Sequence, residues 1–315
     1  MFSANPAVEG DQSLLALTLA FYQGWKPGRF GAASYDFRTT SARSKDGSEG
    51  KTRYGYGTVR IADGRSRIDY FISHSPVDFQ GQGVPDGALE MLQGHGTMYV
   101  DTAKVTHHDV MEDAVAEYPL RMHRQESLIS VLPWELWSEP RTQVEFSQLF
   151  DLDLAPDTLR LVKVKRDGNE VTVDRVSSID GVRSVAVTSL LHGGAVLRFR
   201  STQPNLNYGV RCEYARSRMG RVYLTKRRSD FASAGRGTKT VEELEVFDFR
   251  DELDVPPEKL AFNRGVLTAV TRYTKYDASG NPVSSVVRPK EVNNEKTLDE
   301  LADKLRRGRF VSPDK

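Results

Sequence analysis

The chain has one cysteine, Cys212, in 315 residues, which excludes an internal disulfide and any fold stapled by covalent cross-links. Long apolar runs are missing too, since no segment approaches the roughly 18 consecutive apolar residues that a membrane-spanning helix needs. Neither sign of charge is in excess. Lys and Arg number 44 against 43 Asp and Glu, a net charge of +1, so no global pull toward nucleic acid or an anionic membrane is encoded. Hydrophobic residues make up only 38% of the chain and 28% are charged, with a mean hydropathy of −0.49. Much polar surface must therefore be solvated, as a sheet with one wet face requires. Catalytic signatures are scarce. There is no Gly-x-Ser-x-Gly elbow, and the Gly55/Gly57 and Gly81/Gly83 pairs lack both the full phosphate-binding spacing and a following helix. No cofactor is implied. Nothing local marks Cys212 as a thiolate, and it reads as a small core hydrophobe.

Alternation is abundant. From about Asp157 to Tyr276, apolar side chains recur at every second position between Gly, Asn, Asp and Pro turns, the period of half-buried antiparallel strands. Leu159, Leu161 and Val164 make one strand, Val171, Val173 and Val176 the next, and Val182, Val185 and Val187 a third. Arg166-Asp167-Gly168-Asn169 and Asp180-Gly181 are the turns between them. The series continues over Val196–Phe199, Tyr208–Tyr214, Val222–Leu224, Val241–Phe249 and Val266–Tyr276. Connections this short favour meander order over parallel crossovers. Earlier in the chain, strands are expected over Gly31–Arg43, Arg53–Ile61 and Arg65–Ser73, the last two joined by an Ala62-Asp63-Gly64 hairpin. Further strands are expected over Ala88–Gln93 and Gly96–Val105, with a loop over residues 80–87 between the two groups.

Leu14 to Tyr22 resembles the apolar core of an export signal. However, Glu9 and Asp11 stand where basic residues belong, and no small-x-small cleavage site follows. The segment reads instead as an amphipathic helix over Gln12–Gln23, with Asp11 as N-cap and Gly24 as stop. Three regions follow. Residues 1–10 are a flexible start. Residues 11–277 form a single antiparallel β domain interrupted by a helical insertion over about 107–154. Residues 278–315 are a charged tail with a short helix.

Three side-chain groups are candidates for function. If the stretch around His107 were helical, His108 and Glu112 would share a face at i and i+4 and, with His107 beside them, could centre a metal-dependent enzyme, the alternative being a solvated loop or helix surface. Arg216, Arg218, Arg221, Arg227 and Arg228, interleaved with tyrosines, form a basic hairpin that suits an acidic partner, a headgroup or single-stranded nucleic acid. The alternation offers a rival explanation. Tyr208, Val210, Cys212 and Tyr214 point one way and Arg211 and Glu213 the other, which makes the arginines the wet side of an amphipathic hairpin. The near-zero net charge disfavours nucleic acid. Finally, Trp134, Trp137 and Phe150 in the middle region, with Tyr208 and Tyr214, are candidates to line an apolar cavity.

One family resemblance rests on the Gly24-Trp25 helix exit, the Ala33-Ser-Tyr-Asp-Phe-Arg38 strand and the Gly57–Asp69 hairpin. It also takes in the Val241–Phe249 strand followed by Val255-Pro256-Pro257 and Phe262. Over about Leu14 to Phe262 the chain resembles the LolA/LolB-like lipoprotein-carrier superfamily, including divergent envelope proteins of planctomycete-like bacteria. The resemblance implies a mainly β (α+β) fold: a strongly curved antiparallel sheet or half-open β-barrel, covered by an N-terminal helix and short inserted helices. It also implies non-enzymatic binding of a lipid or lipoprotein acyl chain in the periplasm or cell envelope. No residue role transfers one for one.

Overall fold

Two Asp-Gly turns organise the first part of the chain. In the computed structural model, which describes residues 7–9, 13, 14, 17, 20, 29–74, 76, 92–119, 131, 132, 159–177, 183–203 and 205–288, Asp46 and Gly47 have φ of 50° and 81°, and Asp63 and Gly64 have 51° and 73°. Two successive positive φ values match the right-handed twist of the flanking strands. The second turn is the expected hairpin. The first carries the same dipeptide signal and joins β2 (Ala33–Lys45), shifted along the chain from the expected Gly31–Arg43, to β3 (Ser48–Ala62), which is longer than the alternation suggests. The strand β4 runs over Arg65–Ser73, as expected. A three-residue strand, β1 (Ala7–Glu9), precedes them. Ser13, Leu14, Leu17 and Ala20 are helical, while the expected caps of that helix, Asp11 and Gly24, lie outside the described residues.

The next elements correct the sequence reading. The strand expected over Gly96–Val105 is instead two strands, β5 (Leu92–Val100) and β6 (Lys104–Asp109), followed by β7 (Ala114–Pro119). Asp101 makes the first break, its carboxylate accepting from the backbone N–H groups of Ala103 and Lys104. Asp109 makes the second in the same way, accepting from Met111 and Glu112. Such Asx turns pack strands of six residues so tightly that no long alternation survives to be read. The helical insertion expected from residue 107 is therefore strand and turn as far as Pro119. The loop over 80–87, the Asp180-Gly181 turn and the tail from Lys290 lie outside the described residues.

The later ladder comprises β8 (Leu159–Asp167), β9 (Glu170–Ser177), β10 (Arg183–Ser189), β11 (Ala195–Gln203), β12 (Leu206–Arg216), β13 (Val222–Ser233) and β14 (Thr238–Arg250). Of the strand expected over Val266–Tyr276, only β15 (Arg272–Tyr276) forms, and it is followed by β16 (Pro282–Val287). Residues Arg264–Thr268 are a 3-10 turn, capped by the Asn263 side chain accepting from the Gly265 N–H.

The chain divides into two compact units, one of residues 1–30, 40–51 and 130–247, the other of 31–39, 52–129 and 248–315. In the first, hydrogen-bonded neighbours run β1-β8-β9-β10-β11-β12-β13-β14-β2-β3. In the second they run β2-β3-β4-β5-β6-β7-β15-β16. Most pairs are antiparallel, with β1–β8 and β7–β15 parallel. Among the described residues no pair joins the last strand of either series to its first, so both are open. The fold is mainly β.

The units differ in how they bury their faces. In the first, burial alternates. Val173, Ala186 and Phe199 lie in one cross-strand row, and with Val210, Cys212, Leu224 and Leu244 they are buried. That register puts Val185 and Val187, the apolar alternation of β10, on the half-exposed face and buries Ser184, Ala186 and Thr188 instead. In the second unit, β4 is buried without interruption from Ser66 to Ser73. One face is apolar, with Phe37, Val59, Ile61, Ile68 and Val105 at 1% exposure or less. The other face is polar yet equally buried. The half-wet sheet expected from composition holds for the first unit only.

Candidate functional site

The buried face of β9–β14 is built by the period of two. Phe199 opposes Val210, Ser201 opposes Tyr208, and Tyr208 opposes Phe231, so these side chains share one side of the sheet. The Phe199 and Tyr208 rings meet edge to face, centroids 6.2 Å apart. Tyr214, beyond a bulge after Glu213, keeps to the same face and is half-buried. Its hydroxyl donates to the Val196 carbonyl at 2.9 Å, and the His192 ring lies 5.8 Å away. Two of the five expected cavity residues, Tyr208 and Tyr214, thus lie on one apolar surface. Trp134, Trp137 and Phe150 lie outside the described residues. Cys212 sits between the two tyrosines, and burial pushes its thiol up to about 12, far from a nucleophilic thiolate.

The expected basic hairpin does not form one surface. Arg216 donates to the carbonyls of Gly220 and Leu191 at 3.1 and 2.7 Å. Arg221 lies over the Phe30 ring, 5.3 Å from its centroid. Arg218 is exposed in the turn. Arg228 reaches Glu243 at 2.9 Å. Arg227 is buried on the apolar face, opposite both Cys212 and Leu244. The bulge in β13, where Thr225 has no partner on β12, and the buried position of Arg227 are not visible in a strict alternation.

His107 and His108 are neighbours on strand β6, not a helical pair, so their side chains leave opposite faces. Nε2 of His107 lies 2.5 Å from the Tyr70 hydroxyl, whose ionisation burial opposes by raising its pKa. His108 lies on the polar face opposite Thr97. Glu112 is in the following turn and pairs with Arg272. Among the described residues no group of three or more His, Cys, Asp or Glu could hold a metal ion.

The polar face of the second unit holds a charge network that sequence reading missed. Asp69 accepts from Arg60 at 2.7 Å, from Arg67 at 3.1 Å and from the Thr97 hydroxyl at 2.8 Å. Arg60, Arg67 and Asp69 are only 7%, 2% and 5% exposed. Strand pairing brings them together, with Arg60 opposite Arg67 and Asp69 opposite Thr97. The network extends to the segment after β14. Arg60 donates twice to Asp254, Arg67 donates to the Lys259 carbonyl at 3.2 Å, and Ser34 donates to the Glu252 carbonyl at 2.9 Å. Arg67 also lies 5.4 Å from the centroid of the Tyr99 ring, against whose edge Phe262 packs at 5.4 Å. The burial of these charges depends on a segment some 190 residues away, which no local signal announces. Each carboxylate and guanidinium here is engaged by another protein group, so the network is a fastening for residues 252–262.

No protein-family model matches the sequence, and no curated protein matches it. Solved structures that are similar include a DUF1329 family protein from Desulfovibrio piger, at 13% identity and TM-score 0.40, with 80% of this chain and 98% of that one covered. A LolA superfamily protein from Nitrosomonas europaea is similar at 11% identity and TM-score 0.36, with 80% and 97% covered. An uncharacterized conserved protein from Thermus thermophilus is similar at 10% identity and TM-score 0.27, with 81% and 95% covered. Likeness at this level carries no information about ligand or activity, for which the site itself must speak.

Proposed function

We propose that the protein binds an apolar ligand, a lipid or lipoprotein acyl chain, against the buried face of β9–β14, and that it performs no chemistry on it. The observation that carries this reading is the contrast between the two sides of that sheet. One side presents Val173, Ala186, Phe199 and Val210 in a continuous cross-strand row, with Tyr208 and Leu244 buried in the rows beside it and Arg227 the buried charge on that face. The other presents exposed charges. A one-sided sheet must be covered, and a cover that yields to an acyl chain makes a binding site. Each methylene moved from water onto such a face contributes about 0.8 kcal/mol, so a chain burying about ten of them gains enough to offset the cost of association.

Tyr208 and Tyr214 line the site, and the Phe199–Tyr208 pair gives it an aromatic floor. A cell-envelope setting belongs to the same reading and rests on the residue-level resemblance to lipoprotein carriers.

Native mass spectrometry of the purified protein, with uptake of a fluorescent fatty acid, tests the proposal. A lipid adduct, or uptake lost in Val210→Asp and weakened in the milder Tyr208→Ala, supports it. Absence of both adduct and uptake in the intact chain discards it.

A further inference from the structure

The outer face of β11–β13 carries a row of arginines that strand register places side by side. Arg198 is directly opposite Arg211, and Arg211 is directly opposite Arg228. Side chains so paired have Cβ atoms about 4.5–5.5 Å apart, and like charges there repel. The two outer members each turn to a carboxylate on their far side. Arg198 donates to Glu170 at 2.6 Å, and Arg228 donates to Glu243 at 2.9 Å and lies 3.5 Å from Asp230. Arg211 is exposed and has no carboxylate partner among the described residues. Neither has Arg200, one row along on the same face, which is exposed and opposite Gly209. Gly209 contributes no side chain, and a Cβ there would meet only the Phe199 carbonyl, at 3.9 Å. The side-chain layer therefore has a gap at Gly209, with Arg200 and Asp230 opposite it on the two neighbouring strands and Arg211 two residues along β12. The nearest acidic groups are committed elsewhere or displaced. Asp230 opposes Gly209 but lies against Arg228, and Glu213 is two residues beyond Arg211, opposite Lys226.

We infer that Arg200 and Arg211 form a binding site for a phosphate group. Two planar forks of N–H donors on diagonal positions of one exposed face suit a tetrahedral anion, whose oxygens serve both guanidiniums at once, whereas a planar carboxylate saturates one. Bound phosphate also screens the Arg198–Arg211–Arg228 repulsion. This site is on the opposite face of the sheet from the proposed acyl-chain surface and stands independently of it. The phosphate is either free or part of an anionic lipid headgroup, and the probes separate the two.

Titration of the full chain with inorganic phosphate, and co-sedimentation with phosphatidylglycerol against phosphatidylcholine vesicles, is run on the native protein and on Arg200→Gln, Arg211→Gln and Lys165→Gln. Binding of inorganic phosphate that falls at least tenfold in both arginine variants, but not in Lys165→Gln, supports a free-phosphate site. The same pattern seen only with phosphatidylglycerol vesicles supports a headgroup site. A folding control accompanies both arms. Without anion at low salt, Arg211→Gln has a melting temperature equal to or above that of the native chain, because a like charge has left the row. No binding of either probe, losses equal in Lys165→Gln, or tighter binding of a single-stranded oligonucleotide than of both probes overturns the inference.

Discussion

Arg60 and Asp254, 194 residues apart in sequence, are joined by two hydrogen bonds of 2.6 and 2.8 Å, while a third N–H of the same guanidinium reaches Asp69 at 2.7 Å. One arginine thus bridges a buried carboxylate in the sheet and a half-exposed one in the segment that covers it. The two carboxylates should therefore respond very differently to mutation.

Asp69→Ala leaves Arg60 and Arg67 charged and buried with one partner fewer, a situation that costs about 3–5 kcal/mol. Asp254→Ala removes a partner whose side chain is 30% exposed, and solvent replaces part of the lost interaction, so about 1 kcal/mol is expected. Urea unfolding of both variants followed by tryptophan fluorescence checks the ranking. Equal losses would contradict it.

The carboxylates Asp36 and Asp254 should give opposite pH signatures. Burial raises the pKa of Asp36 despite its hydrogen bond from Thr58 at 2.6 Å. A carboxyl whose folded pKa lies above its unfolded value stabilises below the unfolded value and loses that contribution as pH rises through the folded one. Asp36→Asn is accordingly expected to be more stable than the native chain at pH 7, with the advantage shrinking as pH falls toward the ordinary carboxylate range. The pKa of Asp254 is lowered: burial opposes this, but the Arg60 hydrogen bonds and charge outweigh it. Its contribution is present above the unfolded value and disappears as pH falls through the folded one, so the deficit of Asp254→Asn should be largest at neutral pH and vanish in acid. Thermal melts of the three proteins from pH 3 to 8 test both signs.

Gly57→Ala should be among the most damaging single-methyl additions in the second unit. A Cβ at Gly57 would lie 2.1 Å from the Asp69 carbonyl oxygen and 2.9 Å from the Phe37 ring. The backbone oxygen belongs to the β3–β4 ladder and has no room to retreat, so a loss of about 2–4 kcal/mol is expected. Gly168→Ala, in a turn with open space around it but φ of 57°, should cost about 1 kcal/mol from backbone conformation alone. Comparing their urea midpoints separates steric from conformational cost.

Cys212 should resist thiol reagents. With its pKa pushed up to about 12 by burial, its thiolate fraction at pH 8 is about a thousandfold below that of an ordinary cysteine. Labelling with iodoacetamide should be negligible in the native protein and complete in 6 M guanidinium, a concentration chosen as one at which domains of about this size unfold. Rapid native labelling read by mass spectrometry would show that this face opens, and that the strands around Tyr208 and Tyr214 are less firmly covered than their exposure indicates.

The sequence by itself determined the class of fold, because a period of two and Asp-Gly turns are local properties. The β4 strand, the Asp63-Gly64 hairpin and the Tyr208–Tyr214 alternation follow from them directly. It left short strands unread where Asx turns at Asp101 and Asp109 interrupt the alternation, and it placed Val185 and Val187 by their own hydrophobicity when register with Val173 and Phe199 buries Ala186 instead. Tertiary structure alone decided which polar residues are wet. Arg198, Arg211 and Arg228 read the same in sequence as Arg60 and Arg67, since all stand on the polar side of an alternating strand. The first group faces water and gathers into a row by strand register. The second is sealed under residues 252–262 and satisfied by Asp69 and Asp254. The difference lies in contacts between segments nearly two hundred residues apart, and no short window of sequence contains them.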